Sequence, residues 1–411
     1  MSFPRGWWMV AASGAGLSTN PGQFAYGALG VFMLPLIHEF GWSRTDVSLA
    51  LTAFTVALAL ALPFVGRCVD RYGGRRVLFP STIVFGVLLL AIPLTVAKAW
   101  HLWLLFTLIG SLAAGANALP YLRILGAWFD RRRGLAFGLA MAGGGLGYTY
   151  VPPLLQWLIG QWGWRSGYVV LGAMVLLIAA PIAGLVLRDT PEEVGLHPDG
   201  DPVPVQKADD PGAGSEQSAG AGRGTFLLLF LTFSLLTLCL YGLLAHLVPM
   251  LVDRGIAPDD AAWAAALLGI AILFSRAGVG YLIDRWFAPR VAAVCFVLSA
   301  AGLAWFAAGA ADRISVGLAT CLVGLSIGAE IDLLAFLTSR YFGLRRFGTF
   351  YGVMFAGFLL GAAPGPVVYG AVFDAVGNYD LALTGAASLL GVAALVMLIL
   401  PEYRSDRGAR R

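Results

Sequence analysis

The stretch WAAALLGIAILFSRAGVGYLI, residues 263–283, is apolar apart from Ser275 and Arg276. About 20 apolar residues in a helix, rising about 1.5 Å each, cross the roughly 30 Å hydrocarbon core of a bilayer. Counted back from Asp284, where the polar loop begins, Arg276 lies about 12 Å below that edge. A charge at this depth costs several kcal/mol unless it faces a partner, a cavity or water. The stretch therefore predicts a membrane-spanning helix whose arginine faces the interior of the protein.

Arg276 has two possible roles at this depth. It can be a structural residue that pairs with an acidic side chain inside the protein. It can also be a fixed positive charge on a solute pathway, available to bind an anion. The sequence of this helix leaves both roles open.

The composition of the whole chain is that of a polytopic membrane protein. Of its 411 residues, 59% are hydrophobic and only 12% are charged, and the mean hydropathy is +0.79. A soluble protein would carry about 25% charged residues. The net charge of +4 comes from basic residues in loops, so membrane topology explains it better than nucleic-acid binding. The cysteines lie in or beside apolar runs without metal or redox spacing, which predicts buried hydrophobes: Cys68, Cys239, Cys295 and Cys321.

Twelve apolar segments predict twelve membrane spans. The first is long and is interrupted by Asn20-Pro21-Gly22, where proline removes a backbone hydrogen bond, so we expect a kink. Asn20 and Gln23 are polar at membrane depth and should face a cavity. The spans are expected at 7–37, 46–66, 77–97, 101–122, 134–159, 165–187, 225–251, 261–283, 290–310, 314–338, 347–373 and 380–400.

The distribution of basic residues predicts the orientation. Of the 27 lysines and arginines, 20 fall on the side of the two termini. Because cytoplasmic loops carry the excess of positive charge, both termini should be cytoplasmic, in an inner or plasma membrane. Arg123 and Arg276 lie inside spans, and the other side carries Arg44, Lys98, Arg165, Arg254 and Arg313.

One long polar stretch divides the chain. Residues 188–224 contain five prolines and the low-complexity run GAGSEQSAGAGRG, which is typical of a mostly disordered linker. We therefore predict a six-helix bundle over 1–187, a cytoplasmic linker over 188–224, and a second bundle with a short basic tail over 225–411.

The two bundles repeat one another at a constant offset of 214 residues. This register is hard to obtain by chance, and it predicts two six-helix halves of the same topology with a site between them. The offset carries Gly66, Asp70 and Arg71 onto Gly280, Asp284 and Arg285, and Gly134, Gly138, Ala142, Gly143, Gly147 and Pro152 onto Gly348, Gly352, Ala356, Gly357, Gly361 and Pro366.

The loop GRCVDRYGGRR, residues 66–76, resembles the GxxxDRxGxRR signature of the major facilitator superfamily, and GYLIDRW at 280–286 is a weaker copy. The resemblance covers essentially the whole chain and implies a transporter that alternates between two open states. An aspartate at a helix end with flanking arginines can clamp one conformation. The alternative is that these arginines only determine the membrane topology. The predicted gating residues are Gly66, Asp70, Arg71, Arg75, Asp284 and Arg285.

The segment WFDRRRGLAFGLAMAGGGLG, residues 128–147, resembles the signature of the monocarboxylate transporters within that superfamily. In that family an arginine on span 8 binds the substrate carboxylate, and Arg276 stands there. Asn117 and Tyr121 are four residues apart and should share one helix face, and polar groups on this span face substrate in related transporters. Further candidates for the substrate site are Asn20 and His246, although a lone histidine is more often a core residue.

Several positions depart from the family pattern, which puts proton coupling through its usual groups in doubt. Ile272 stands where mammalian members have an acidic residue, and span 1 carries no lysine. The related oxalate–formate exchangers have a second basic residue on span 11, where this chain has Phe358. One cation favours a substrate with one carboxylate, unless Arg123 faces inward. The candidates for carrying a proton are Glu330 and Asp332 on span 10, which point about 200° apart, and His246.

We therefore predict an all-α membrane protein with twelve transmembrane helices in two pseudo-symmetric six-helix bundles. It should move a small organic anion, a monocarboxylate, by alternating access with proton symport, and function as a monomer. The alternatives are a proton-driven exporter of drugs or other solutes that uses Glu330 or Asp332, and a non-transporting membrane sensor. No metal spacing, nucleophile elbow or phosphate loop is present in the sequence, so we expect no enzyme, catalytic residue, metal or cofactor.

Overall fold

The computed structural model describes residues 5–130, 132–198, 222–283, 285–343 and 347–402. Within these ranges the chain forms helices joined by short turns, and no strand is present. Span 1 consists of Arg5–Ser18 and Pro21–Phe40, span 2 of Arg44–Tyr72, span 3 of Gly74–Thr95, span 4 of Ala99–Leu112 and Ala118–Trp128, span 5 of Arg133–Trp162, and span 6 of Trp164–Val186.

The second half of the chain supplies the other six spans. Nine of the described helices are long and apolar enough to cross a membrane, and spans 1, 4 and 5 complete the predicted twelve. Span 7 is Arg223–Asp253, span 8 Pro258–Ile283, span 9 Ala288–Ala307, span 10 Arg313–Phe342, span 11 Phe347–Ala362 and Gly365–Val376, and span 12 Asp380–Leu398.

The predicted break in span 1 is confirmed. The first helix ends at Ser18, and the second begins at Pro21, where a missing backbone N–H costs nothing because the first turn has no partner for it. The Oδ1 atom of Asn20 accepts hydrogen bonds from the backbone N–H groups of Gly22 at 2.9 Å and Gln23 at 3.2 Å. Asn20 is therefore a helix cap within span 1.

Glycines bring equivalent spans together in the two halves, as the repeat predicts. A side chain on Gly147 of span 5 would collide with the carbonyl oxygen of Ser18 on span 1. Its repeat partner Gly361 on span 11 makes the same close approach to the carbonyl oxygen of Ser234 on span 7. Small residues let helix backbones approach closely where lipid leaves no hydrophobic drive for association, so both halves have the same internal packing.

The start of the predicted linker is folded against the first half. The Oδ1 atom of Asp189 accepts a hydrogen bond from the backbone N–H of Arg75 at 2.8 Å, and a short 3-10 turn follows at Pro191–Val194. Residues 199–221 and the basic tail from 403 lie outside the described residues. The division of the chain at 1–187, 188–224 and 225–411 stays a prediction.

The two halves meet on one side of the protein. We call the side where span 1 begins and span 12 ends the terminal side, and the opposite one the distal side. On the distal side, Arg44 of span 2 forms an ion pair of 2.7 Å with Asp253 of span 7. Asp374 of span 11 accepts hydrogen bonds from the backbone N–H groups of Arg44 and Thr45 at 3.1 and 3.0 Å. These contacts close the distal side.

The halves separate toward the terminal side. Spans 5 and 8 touch near mid-membrane, where a Cβ on Gly145 would lie 3.2 Å from Leu273. Gly138 and Gly280 lie seven residues nearer the terminal side on the same helix faces. A Cβ on either would meet no atom within 4 Å among the described residues. The space between the halves therefore opens to the terminal side.

Candidate functional site

The candidate site lies between the halves, where span 8 packs along span 5 of the first half and span 10 of the second. A side chain on Gly269 of span 8 would collide with the backbone of Thr149 on span 5. A side chain on Gly328 of span 10 would lie 2.6 Å from the carbonyl oxygen of Ile272. These two glycines let spans 5, 8 and 10 approach one another around Arg276.

Arg276 projects into this junction with its hydrogen-bonding capacity mostly unused. Its side chain is 15% exposed, and its nearest carboxylate oxygen is Oδ1 of Asp332, 3.9 Å from Nη1. Charge-assisted hydrogen bonds are about 2.7–2.9 Å long, so this contact is an ion pair without a hydrogen bond. The buried Nε of Arg276 has no partner in the described part of the chain. A planar fork of donors is left available to an anion.

Glu330 and Asp332 have different environments, as their angular separation on span 10 predicts. The Asp332 side chain is 39% exposed, whereas Glu330 is 1% exposed. The Oε1 atom of Glu330 accepts a hydrogen bond from the Tyr241 hydroxyl at 3.0 Å. Its buried Oε2 has no hydrogen-bond partner within the described ranges. Glu330 is within electrostatic range of Arg276, so one guanidinium serves two carboxyl groups.

Tyrosines from both halves surround these charges. The ring of Tyr26 on span 1 meets the ring of Tyr241 on span 7 edge to face, with centroids 4.9 Å apart. The Tyr26 hydroxyl shares a hydrogen bond of 2.8 Å with Thr55. Tyr148 on span 5 is buried and lies within electrostatic range of Glu330 and Arg276. We call Arg276, Glu330, Asp332, Tyr26, Tyr148 and Tyr241 the central site.

Span 11 closes the central site with an aromatic stack. Tyr351 stacks on Phe355 at 5.9 Å, Phe355 stacks on Phe358 at 5.4 Å, and Phe358 meets Tyr241 at 5.8 Å between centroids. Phe358 is therefore part of the apolar wall of the site. Tyr351 is within electrostatic range of Arg276 and Asp332, so this stack begins beside the ion pair.

Sequence reasoning missed the tyrosines of the central site. Tyr26, Tyr148 and Tyr241 lie in apolar runs, where a tyrosine at the site and a tyrosine in the core look alike. The one local signal was a phenol in mid-span, because a buried hydroxyl usually needs a partner. These tyrosines are more than 90 residues apart in sequence. They come together through contacts between distant spans, which hydrophobic periodicity cannot show.

Asn20 and Asn117 lie together at the breaks in spans 1 and 4. A Cβ on Gly22 would lie 3.3 Å from Oδ1 of Asn20 and 3.8 Å from Oδ1 of Asn117. Gln23, also on span 1, packs against Gly144 of span 5. Its buried Oε1 has no hydrogen-bond partner among the described atoms. Three polar side chains thus cluster where the helical backbone is interrupted, as expected of groups at a membrane cavity.

The prediction that Asn117 and Tyr121 share a face of one continuous helix is wrong. Span 4 breaks over residues 113–117, and Asn117 is an extended residue that precedes the helix Ala118–Trp128. Gly115 in the run AAGAN weakens a helix, and a Cβ on it would collide with Ser81 of span 3. Tyr121 is buried against Gly16 of span 1. Their roles in substrate binding stay predictions.

His246 lies on the distal side, away from the central site. It is fully buried, and its ring nitrogens are 3.0 Å from the Ser48 hydroxyl, 3.0 Å from the Tyr379 hydroxyl and 2.9 Å from the carbonyl oxygen of Pro366. Tyr379 also accepts a hydrogen bond from Arg44. We call Arg44, Asp253, Asp374, Tyr379 and His246 the distal latch. In this arrangement His246 is a link between spans 2, 7 and 11, and its proposed roles in binding and coupling are untested.

The predicted gating residues lie at the terminal side. Asp70 is exposed and makes no ion pair among the described residues. Arg75 donates a side-chain hydrogen bond to the carbonyl oxygen of Gly184, and Arg71 and Arg285 lie over the rings of Tyr72 and Tyr281. Asp284 lies outside the described residues, and a Cβ on Gly66 would lie 3.9 Å from Leu119 of span 4. The described residues of the motif have no partner in the opposite half, which fits a structure that is open on this side.

Two repeated six-helix halves with charged groups between them are the architecture of a secondary transporter. The family model of the Major Facilitator Superfamily matches residues 16–366, and the chain belongs to that superfamily. It is a multi-pass membrane transporter, and the resemblance inferred from its loop motifs is confirmed.

Its relatives include several monocarboxylate transporters. Monocarboxylate transporter 13 of Bos taurus is 27% identical, with 97% of this chain and 90% of that protein covered. Monocarboxylate transporter 11 of Mus musculus is 28% identical, with 97% and 88% covered. In fold the chain resembles the solved structure of a bacterial homolog to the human lysosomal transporter Spinster, in an inward-facing and occupied conformation. That match has a TM-score of 0.74 at 18% identity and covers 97% of both chains.

Proposed function

We propose that this protein carries a small organic anion with a single carboxylate across the membrane, and that the carboxylate binds to Arg276. The observation that carries the proposal is the state of this guanidinium. It is nearly buried between the halves, its nearest acid is 3.9 Å away, and its Nε is without a partner among the described residues. A buried cation in this state gains most from a ligand that accepts two parallel hydrogen bonds. The kinship with monocarboxylate transporters supports the same substrate class.

The walls of the central site limit what can accompany the carboxylate. The aromatic stack of Tyr351, Phe355 and Phe358 and the tyrosines of spans 1 and 7 offer an apolar lining with phenol hydroxyls. Phe358 is buried and gives no second cation. A short aliphatic or hydroxylated acid suits this lining better than a dicarboxylate, because a second carboxylate would be desolvated without a partner.

The charges of the site favour cotransport of a proton. One arginine faces two carboxyl groups, Glu330 and Asp332. An anion that entered this site alone would add a negative charge in a poorly solvated place beside two carboxyl groups. A proton taken up by Glu330 or Asp332 leaves the charge of the site unchanged when the anion binds. Proton symport is therefore the coupling that we propose.

The predicted orientation of the protein supports the assignment of this structure to one state of the transport cycle. With 20 of 27 basic residues on the side of the termini, the terminal side is assigned to the cytoplasm of a cell that carries the protein in its inner or plasma membrane. The closed distal side and the separated terminal side then correspond to an inward-open state. Alternating access would break the distal latch and close the terminal side. Both changes would take place within one monomer.

A second function is favoured by one contact. Because Arg276 already faces Asp332, the pair can be the structural element of a proton-driven exporter in which Glu330 or Asp332 receives the proton or a cationic solute. The two functions differ in the sign of the substrate's charge, because a free guanidinium at Arg276 would repel a cation.

Uptake into proteoliposomes tests the proposal. Purified protein is reconstituted, and accumulation of a labelled short monocarboxylate is measured with and without an inward proton gradient. We expect gradient-driven accumulation, and its loss in Arg276→Lys. Transport of labelled cations but not of acids would favour the exporter. No transport of either class would contradict both.

A further inference from the structure

A second cavity lies on the outside of span 8, away from the central site. It has a volume of about 640 Å³ and is bordered by spans 8, 9 and 10. Phe274 lines it, while Arg276, two residues further on, faces the central site. Two residues on a helix are separated by about 200°. The cavity therefore lies behind Arg276, on the face of the helix that is turned toward the bilayer.

The cavity is apolar along its length and basic at its terminal-side end. Phe274, Val294 and Trp286 line it with 69%, 58% and 66% of their surfaces exposed. Arg285 and Arg290 line its end, where span 8 has ended and span 9 begins. None of the described lining residues is acidic. This combination places two cations at the level of the lipid headgroups and a groove for a hydrocarbon chain beneath them.

The two arginines are only weakly engaged by the protein. Arg285 lies over the ring of Tyr281 at 3.4 Å and donates a long hydrogen bond of 3.4 Å to the carbonyl oxygen of Tyr281. Arg290 has an ion pair of 3.3 Å with Glu402, but the two side chains are 68% and 77% exposed. An ion pair that exposed contributes little, so both guanidinium groups can turn to a phosphate, for which they are suited geometrically.

We infer that this cavity is a binding site for an anionic phospholipid, with the phosphate on Arg285 and Arg290 and an acyl chain against Phe274 and Val294. Charge complementarity selects an anionic headgroup, and basic pockets between spans are known to hold such lipids. A bound chain would pack directly against the back of the helix that carries Arg276, and would support span 8 in its present position.

The repeat supplies a matched control for this site. Arg285 and Arg290 correspond to Arg71 and Arg76 at the offset of 214. The cavity beside Arg76 has about 1130 Å³, and its lining includes Arg75 and Arg76 together with the acids Asp189 and Glu193, which offset their charge. Removing Arg71 and Arg76 thus removes the same charge from the same side of the protein, beside a cavity whose acids disfavour an anionic headgroup.

The test is native mass spectrometry of the purified protein titrated with phosphatidylglycerol or with phosphatidylcholine of the same acyl chains. We expect a tightly retained phosphatidylglycerol, and about 30-fold weaker binding in the Arg285→Ala, Arg290→Ala double variant, from about 1 kcal/mol for each arginine. The Arg71→Ala, Arg76→Ala variant should bind as the parent does. Equal retention of both lipids, or equal loss in the two double variants, would overturn the inference.

A second variant separates a lipid from a free phosphate and does not touch the arginines. Val294→Trp should fill the groove and weaken retention of phosphatidylglycerol at least tenfold, because the acyl chain loses its place. Glycerol 3-phosphate should not compete. If Val294→Trp binds normally and glycerol 3-phosphate displaces the lipid, the site holds a soluble phosphate and the lipid assignment is wrong.

Discussion

Arg44 of span 2 and Asp253 of span 7 form an ion pair of 2.7 Å that joins the two halves on the distal side. The Arg44 side chain is 8% exposed and also lies over the ring of Phe373 on span 11 at 3.8 Å. One residue of the first half therefore binds two spans of the second. Alternating access requires that this contact break once in each cycle, so its strength should set the balance between the two open states.

Replacing Arg44 should open the distal side. Arg44→Ala leaves Asp253 partly buried without its cation, which costs roughly 2 kcal/mol or more, or about 30-fold in the population of the closed state. The measurement is labelling of a cysteine at Thr52, whose hydroxyl contacts Ala363 across the halves, in a background without other cysteines. An impermeant reagent added from the distal side should react faster.

The control for this experiment is Arg165→Ala. Arg165 pairs with Glu39 at 2.7 Å on the same side of the protein, but both residues belong to the first half. Its loss should leave labelling at Thr52 unchanged. Similar acceleration in both variants would mean that general loss of surface charge, and not the latch, governs opening.

The topology prediction rests on the asymmetry of basic residues. Cysteines at Gln217, in the predicted linker, and at Asp259, at the distal start of span 8, should react from opposite sides of the membrane. An impermeant reagent added to intact cells should label the cysteine at Asp259 only. Equal labelling of the two would reject the assignment of the terminal side to the cytoplasm.

The gate prediction concerns Asp70 on the terminal side. In this structure Asp70 is exposed and makes no ion pair among the described residues, so Asp70→Asn should leave the melting temperature unchanged. If Asp70 clamps the terminal side when it closes, the substitution should lower turnover more than substrate affinity. Glu193→Gln, at another exposed acid of this side, is the control. Normal turnover with lost affinity in Asp70→Asn would contradict a gating role.

The features that the sequence predicts are set by neighbouring residues. The features that it does not predict depend on how distant helices pack. The spans follow from local apolar length, and the break in span 1 follows from adjacent Asn20 and Pro21. The break at Asn117 was not predicted, because the alanines that precede it favour a continuous helix. The different directions of Glu330 and Asp332 were expected from their angular spacing, but the choice of Asp332 as the nearer partner of Arg276 depends on how span 10 lies against span 8.

The coupling prediction concerns Glu330 first. Glu330 is buried, holds one hydrogen bond from Tyr241 and lies near Arg276, so it can hold a proton close to the bound anion. Glu330→Gln cannot exchange that proton, and it should abolish accumulation driven by a proton gradient while exchange of substrate for substrate continues. Both rates are measured in proteoliposomes. Gradient-driven uptake that persists in Glu330→Gln, Asp332→Asn and His246→Gln alike would rule out coupling through these groups.

The last prediction concerns Arg276. Lysine keeps the charge but offers a compact ammonium in place of a planar fork. If Arg276 holds the carboxylate, Arg276→Lys should remain folded and lose roughly 2–5 kcal/mol of binding, or about 30- to 5000-fold in affinity. Binding of the labelled acid and the melting temperature are measured on the same preparation.

The structural role of Arg276 gives a different result in a double variant. If the arginine serves only to neutralise Asp332, then Arg276→Ala should lower the melting temperature, and adding Asp332→Asn should restore it together with substrate binding. If Arg276 is the anion site, Asp332→Asn can restore stability but not binding, because the amide removes an uncompensated charge and supplies no cation. The 3.9 Å contact makes Asp332 the partner to test first, and Glu330→Gln in the same background is the comparison. Recovery of binding in the Arg276→Ala, Asp332→Asn variant would therefore exclude Arg276 as the residue that holds the substrate.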